Sequence, residues 1–438
     1  MSPLPQLPQD IVNSIIALAP SDSLHACALT AISFVQSSQR RIFRSVSLGK
    51  MPDYDRMMSI LDMSPHLGEY VKDLALYIAG LPANWEALAF ALSTMTELER
   101  LTIIGNTVES ASSCLSLRWH PWLFDLLSLP SLRCVGLDDL YDVPPSLITD
   151  LLETVEEVSL AQLFLARDAE EEYENGYSGS DNFFIPTSHF LWHLAVHDDC
   201  EELLPFLLSP RRIGYFRNLS RLSLRTICIS EDHRRDLESA LAACAASLTR
   251  LEIEYTNPFV LPALPALCHL ELRIHADILT IVDAYSFPET VLIALEATPN
   301  LNTIALAIRE RPMGQHSFDW GLLPISTAGK WQDLDHRLVK MHRGQLSRKV
   351  EAVQGVQDTI DSEDGLPLGK GNAAHFPSPR FEVRFSLLYL DHYEEDRYSK
   401  FASDMKDRLP AINEAGLTTF CSGHIFQHPM DKFSRNTR

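Results

Sequence analysis

Leu219-Ser220-Arg221-Leu222-Ser223-Leu224 is the stretch that decides the fold. On an extended chain residues two apart face the same side. Leu222 and Leu224 therefore point one way together, while Arg221, Ser223 and Arg225 point the other. Leu219 falls in the turn that enters the strand. The same L-x-x-L-x-L element recurs before it, at Val71/Leu74/Leu76, Leu98/Leu101/Ile103, Leu132/Val135/Leu137, Val155/Val158/Leu160 and Leu191/Leu194/Val196. It continues after it, at Leu248/Leu251/Ile253, Leu267/Leu270/Leu272 and Leu301/Ile304/Leu306. Spacings are irregular and average roughly 29 residues, the length of one strand plus one helix.

Helical patterns fill the intervals. Trp85, Leu88 and Leu92 follow Pro82 at helical spacing; Leu123, Leu126 and Leu127 follow Pro121; Leu147, Ile148, Leu151 and Leu152 follow Pro144-Pro145. A further helix from about Glu231 carries Leu237, Leu241 and Cys244 behind an acidic first turn, and Val291, Leu292 and Leu295 mark another. Strand–helix alternation at this period predicts an α/β fold, a curved solenoid with a parallel sheet in which each unit covers its neighbour's apolar side. The pattern is that of an irregular leucine-rich repeat over residues 51–320. Residues 321–438 read as a basic amphipathic helix (Trp331, Leu334, Leu338, Met341), a long flexible loop around 355–379, and a terminal cap with a strand at Phe381–Leu388. The run Asp168–Glu174 reads as a solvated acidic loop.

Composition narrows the function. The chain of 438 residues carries 58 acidic against 37 basic side chains, a formal charge of −21 that argues against general binding to nucleic-acid phosphates. Its eight cysteines (27, 114, 134, 200, 228, 244, 268, 421) form no CxxC pair and are expected to be reduced thiols. No basic segment followed by an apolar one opens the sequence, and the longest charge-free run, Ser23–Gln39, is too polar for a membrane span. A cytoplasmic or nuclear protein is expected, without nucleic-acid or membrane partners.

Catalytic signatures are poor. Cys421, His424 and His428 lack the further ligands that a zinc site needs, Gly369-Lys370-Gly371 lacks the spacing of a phosphate loop, and no G-x-S-x-G elbow occurs. The expectation is a protein without catalytic activity, cofactor or metal.

The first fifty residues keep a different rhythm. After Leu7-Pro8, the residues Ile11, Val12, Ile15, Ile16 and Ala19 share one helical stripe that Pro20 ends; Leu24, Cys27, Ala28, Ala31 and Val35 suggest a second helix, and Ile42-Phe43 a third short element running into Val46-Ser47-Leu48. Helices this short cannot bury themselves and need a covering partner or domain. Leu7-Pro8-x-x-Ile11, the isoleucines 15 and 16, Cys27-Ala28-Leu29 and the run Ser37–Val46 resemble the F-box, in the form common among fungal F-box proteins. An Arg often found after Cys-Ala-Leu is replaced here by Thr30-Ala31-Ile32-Ser33.

An F-box-like module (1–50) ahead of leucine-rich repeats resembles F-box/leucine-rich-repeat proteins. That resemblance implies a substrate-recognition adaptor of a cullin–RING (SCF-type) ubiquitin ligase. Leu7, Pro8, Ile11, Ile15, Ile16, Leu24, Phe34 and Phe43 would dock on the Skp-type linker subunit and through it on a cullin, and the solenoid would hold a protein substrate. The polar columns that flank the strand leucines nominate a mixed-charge substrate face: Arg221, Arg225, Arg250, Glu252, Glu254, His269, Glu271 and Arg273. The competing expectation is a scaffold or regulator whose head only caps the array, since every solenoid needs caps.

Overall fold

The computed structural model describes residues 7–78, 85–105, 121–166, 191–197, 203–209, 212–225, 231–255, 261–275, 291, 294–309, 331–344, 382–389 and 395–424. The acidic run 168–174, the loop 355–379 and His428 lie outside them. Contacts divide the chain into two compact units, Met1–Thr226 with His428–Arg438, and Ile227–Gln427.

The first unit opens with three helices, α1 (Gln9–Leu18), α2 (Leu24–Thr30) and α3 (Ile32–Ile42). Pro8 stands at the N-cap of α1, where its missing N–H costs nothing, and extended backbone at Ala19 and Pro20 ends the helix. The second apolar run, expected to be one helix through Val35, is broken at Ala31, which is extended (φ −156°, ψ 149°). No Gly or Pro marks that break; the Thr30 hydroxyl donates to the Ala26 carbonyl as the helix ends. From α3 the chain enters β1 (Ser45–Leu48), then α4 (Met51–Met63), β2 (Asp73–Tyr77), α5 (Trp85–Ser93), β3 (Arg100–Ile104), α6 (Pro121–Leu127) and β4 (Cys134–Val143). It goes on through α7 (Pro145–Thr154), β5 (Glu157–Leu165), β6 (His193–His197), α8 (Leu203–Leu208) and β7 (Arg221–Arg225).

These strands pair in parallel and in chain order. The register brings Val46, Leu74, Leu101, Val135, Val158, Leu194 and Leu222 into one row, and Leu48, Leu76, Ile103, Leu137, Leu160, Val196 and Leu224 into the next. Both rows are buried. The two final apolar positions of the repeated element thus build one face of the sheet, as period-2 geometry requires. Leu98, Leu132, Val155, Leu191 and Leu219, which begin the elements, are buried beside them.

The second unit repeats the scheme with α9 (Glu231–Ala243), β8 (Arg250–Tyr255), β9 (His269–His275), β10 (Thr303–Arg309), a helix over 331–344, β11 (Glu382–Tyr389), α10 (Glu395–Arg408), α11 (Pro410–Glu414) and β12 (Thr418–His424). Leu251, Leu270, Ile304 and Val383 form its first core row. All nine elements read from the sequence are strands, and β1, β11 and β12 make twelve among the described residues. The helix 331–344 packs its apolar stripe inward, with Trp331, Leu334 and Leu338 buried. Asp335 is 2% exposed on the same stripe, and its carboxylate accepts the N–H groups of Ala411 and Ile412 at 2.8 Å each, capping α11.

Two strands run longer than the repeat dictates. β4 and β5 continue past their neighbours, with left-handed backbone at Asp139, Asp142 and Gln162. Tyr141 and Phe164 stack there with ring centroids 4.6 Å apart. Gly105 sits against this extension: a Cβ would stand 1.7 Å from the Asp139 carbonyl oxygen, so only glycine fits.

Candidate docking surfaces

The head is fastened from inside by few residues. Val12, Ile16 and Leu24 are buried, and so is Ser38 of α3. Arg41 of α3 donates through one nitrogen to the carbonyls of Ile16 and Ala19, closing the C-terminal end of α1, where a cation also complements the helix dipole. A polar clasp ties the outer side: Gln9 donates to Asn13 and to Ser37, and Ser37 donates to Asn13 at 2.6 Å.

Large apolar side chains are also left outside by this packing. Leu7 (53% exposed), Ile11 (45%), Ile15 (42%) and Leu18 (87%) follow one another at intervals of four, four and three residues, one stripe along α1 and its entry. Leu29 and Ile32, on either side of the Ala31 break, are 88% and 91% exposed. Of the eight residues proposed to dock, Leu7, Pro8, Ile11 and Ile15 face outward, and Phe34 and Phe43 are half-buried. Ile16 and Leu24, at 2% and 3% exposed, hold the head together instead. Leu18, Leu29 and Ile32 belong to the outward set beyond the eight; Leu18 stands three residues after Ile15 on the same helical stripe, whereas Ile32 carries no such signal.

The second surface is the sheet face away from the leucines. In the first unit the row Asp73, Arg100, Cys134, Glu157, His193, Arg221 crosses that face in register. Arg100 lies 3.5 Å from Asp73, and His193 Nδ1 3.5 Å from Glu157. The hydrogen bond from His193 holds the Glu157 carboxyl below its ordinary range against the opposing pull of burial. Burial pushes the Cys134 thiol up to about 12, away from the thiolate form. Arg221 is exposed, its guanidinium 5.0 Å from the Trp192 ring centroid. Arg225, on the same strand, is half-buried.

In the second unit the corresponding face is a lattice of ion pairs. Arg250 grips Glu252 through Nε (3.0 Å) and Nη2 (2.6 Å), Arg273 grips Glu271 through Nε (2.8 Å) and Nη2 (2.7 Å), and Arg273 also lies 3.9 Å from Glu252. Glu254 is 3% exposed. His269 stands between Arg250 in register on one side and Thr303 on the other; burial, then Arg250, lowers its pKa and favours the neutral ring. The structure therefore brings Arg250, Glu252, Glu271, Arg273 and His269 together on β8 and β9, while Arg221 and Arg225 belong to the first unit. Among the described residues no group of three or more His, Cys, Asp or Glu side chains is arranged to hold a metal ion. No helix among them is long and apolar enough to cross a membrane.

These surfaces and the fold define a class by architecture: N-terminal helices followed by parallel strands alternating with helices, consistent with a leucine-rich-repeat-like solenoid. Comparison with known proteins finds no matching family model and no similar curated protein.

Proposed function

We propose that the chain is a substrate-recognition adaptor of an SCF-type ubiquitin ligase, with the head docking on a Skp-type linker and the sheet face presenting a protein substrate. The observation that supports this reading is the exposed stripe Leu7, Ile11, Ile15, Leu18, with Leu29 and Ile32 also exposed on the same small module. Large apolar side chains gathered on one small module at this exposure mark an interaction site rather than a cap, which needs a polar outer face. The mechanism is proximity: a substrate held near a ubiquitin-charged enzyme reacts at a raised effective concentration, and no group on this chain need form a bond. The test is co-purification of the full chain with a purified linker subunit. A stoichiometric complex is expected; its absence would sink the adaptor reading.

A second reading has its own support. β1 follows α3 after two residues and pairs with β2 over Ser45–Leu48, so the head is also built into the end of the array. A non-ligase scaffold whose head acts as cap would keep this junction and fail to bind the linker.

A further inference from the structure

Where α3 passes into β1, a cleft of about 420 Å³ is lined by Arg40, Arg44, Glu69, Tyr70, Lys72 and Glu97. Its frame is made of backbone. The N–H groups of Lys72 and Asp73 donate to the Arg44 carbonyl at 2.8 and 2.9 Å, and those of Glu99 and Arg100 donate to the Lys72 carbonyl at the same distances. The entrances to β1, β2 and β3 are thereby stitched together, which fixes the backbone positions from which Arg44 and Lys72 project.

The cations here are not equivalent. Lys72 is committed, with Nζ 3.0 Å from Glu97 and 3.3 Å from Glu99. Arg41 is turned away, its guanidinium on the end of α1. Arg40 and Arg44 remain, exposed, and neither forms a salt bridge among the described residues. Arg40 is steadied instead by the Tyr70 ring, with its guanidinium carbon 5.4 Å from the centroid. Charge points the same way. The first fifty residues hold four basic and two acidic side chains in a chain whose net charge is −21. Arg44 acts on the Asp73 carboxyl at longer range than Arg100 does, but neither guanidinium of the cleft is clamped in a close ion pair, and their planar forks match an oxyanion.

We propose that this cleft binds the oxyanion side chain of a protein partner, with Arg40 and Arg44 as its donors. Glu69 on the same wall repels a run of acidic residues and favours a lysine or arginine beside the oxyanion, whereas Glu97 is already held by Lys72, so the ligand is a single phosphorylated or carboxylate side chain in a mixed-charge segment. The site does not depend on the ligase reading.

The test uses the full chain and three fluorescein-labelled peptides, identical except for phosphoserine, glutamate or serine before a lysine, read by fluorescence anisotropy. Binding of the phosphoserine or glutamate peptide is expected to weaken roughly tenfold or more in Arg40→Gln/Arg44→Gln, the cost of losing charge-assisted hydrogen bonds. Arg133→Gln, another exposed arginine of the same unit, leaves it unchanged. Arg44→Lys, which keeps the charge and loses the fork, falls between. Preference for phosphoserine assigns a phosphate source; equal binding of the glutamate peptide assigns a carboxylate. Equal binding of all three peptides, no binding of any, or an unchanged double variant with wild-type melting behaviour overturns the proposal.

Discussion

Replacing Ile11 and Ile15 together by Asp separates docking from folding. Both side chains are already nearly half in water, 45% and 42% exposed. A partner that covers the remaining surface removes on the order of 75 Å² of apolar area at each, or roughly 2 kcal/mol apiece at about 25 cal/mol per Å². The double variant should therefore lose about 4 kcal/mol of linker affinity, close to a thousandfold, before the cost of desolvating the new carboxylates is added. The free chain loses much less, because outward positions tolerate substitution within about 1 kcal/mol apart from the unfavourable placement of Asp in the last turn of α1. Biolayer interferometry against immobilised linker reads the first quantity and thermal unfolding followed by circular dichroism reads the second. Ile16 cannot serve in this experiment: at 2% exposed it would carry a buried charge and lose binding through loss of the head's packing. Linker affinity within about threefold of wild type in Ile11→Asp/Ile15→Asp, with the fold intact, would refute the reasoning.

Three further outcomes follow from the second unit and one from the first. Asp335→Ala removes both acceptors from the buried start of α11 and should cost about 2–4 kcal/mol, seen as a lower urea midpoint, with Asp335→Asn recovering part of it. His269 has its pKa lowered from the ordinary 6.5 by burial and by Arg250, with Arg384 adding to the effect and Glu271 and Glu252 opposing it. For a base lowered in the folded state, the unfolded chain takes up the proton first. Stability is thus full above the ordinary histidine value and declines as pH falls from there toward the folded value, so melting temperature should drop between pH 7.5 and 5.5 in wild type and drop less in His269→Gln. Finally, Arg250→Gln with Arg273→Gln strips both arginines from Glu252, whose side chain is 9% exposed, and should destabilise the unit by about 3–5 kcal/mol in chemical denaturation. Arg221→Gln, an exposed cation over Trp192, should cost less than about 1 kcal/mol.

The strands were legible because parallel pairing imposes on the sequence what it imposes on the backbone. Leu222 had to face the same side as Leu194, and Leu194 the same side as Val158, so the apolar letters line up at a fixed place in every repeat whatever the spacing between them. The extensions of β4 and β5 have no such signature. They depend on Asp139, Asp142 and Gln162 accepting a left-handed backbone and on Gly105 leaving room, which are individual accommodations rather than a period. In the head, periodicity placed Ile11, Val12, Ile15 and Ile16 on one stripe wider than a single contact can cover. The packing of α3 divides it, with Val12 and Ile16 inward and Ile11 and Ile15 outward. Nothing in α1 alone chooses between those halves; Arg41, thirty residues along from Ile11, does so by gripping the end of the helix.

The charged face shows the complementary limit. Alternation correctly put Arg250, Glu252, Glu271 and Arg273 on one side of the sheet, but it could not say whether they wait for a ligand or bind each other. On a strand, residues i and i+2 stand on one face close enough for an arginine to fold back along its own strand, and both arginines do so, onto Glu252 and Glu271. A partner that recruits Arg250 or Arg273 must first break a pair in which two guanidinium nitrogens converge on one oxygen of a largely buried carboxylate, which costs more than most surface contacts return. Recognition by this lattice therefore favours ligands that read its shape and leave the pairs intact. On β7 of the first unit, by contrast, Arg221 is exposed over the Trp192 ring. Of the arginines nominated for a substrate, it is the one whose engagement disrupts the fold least.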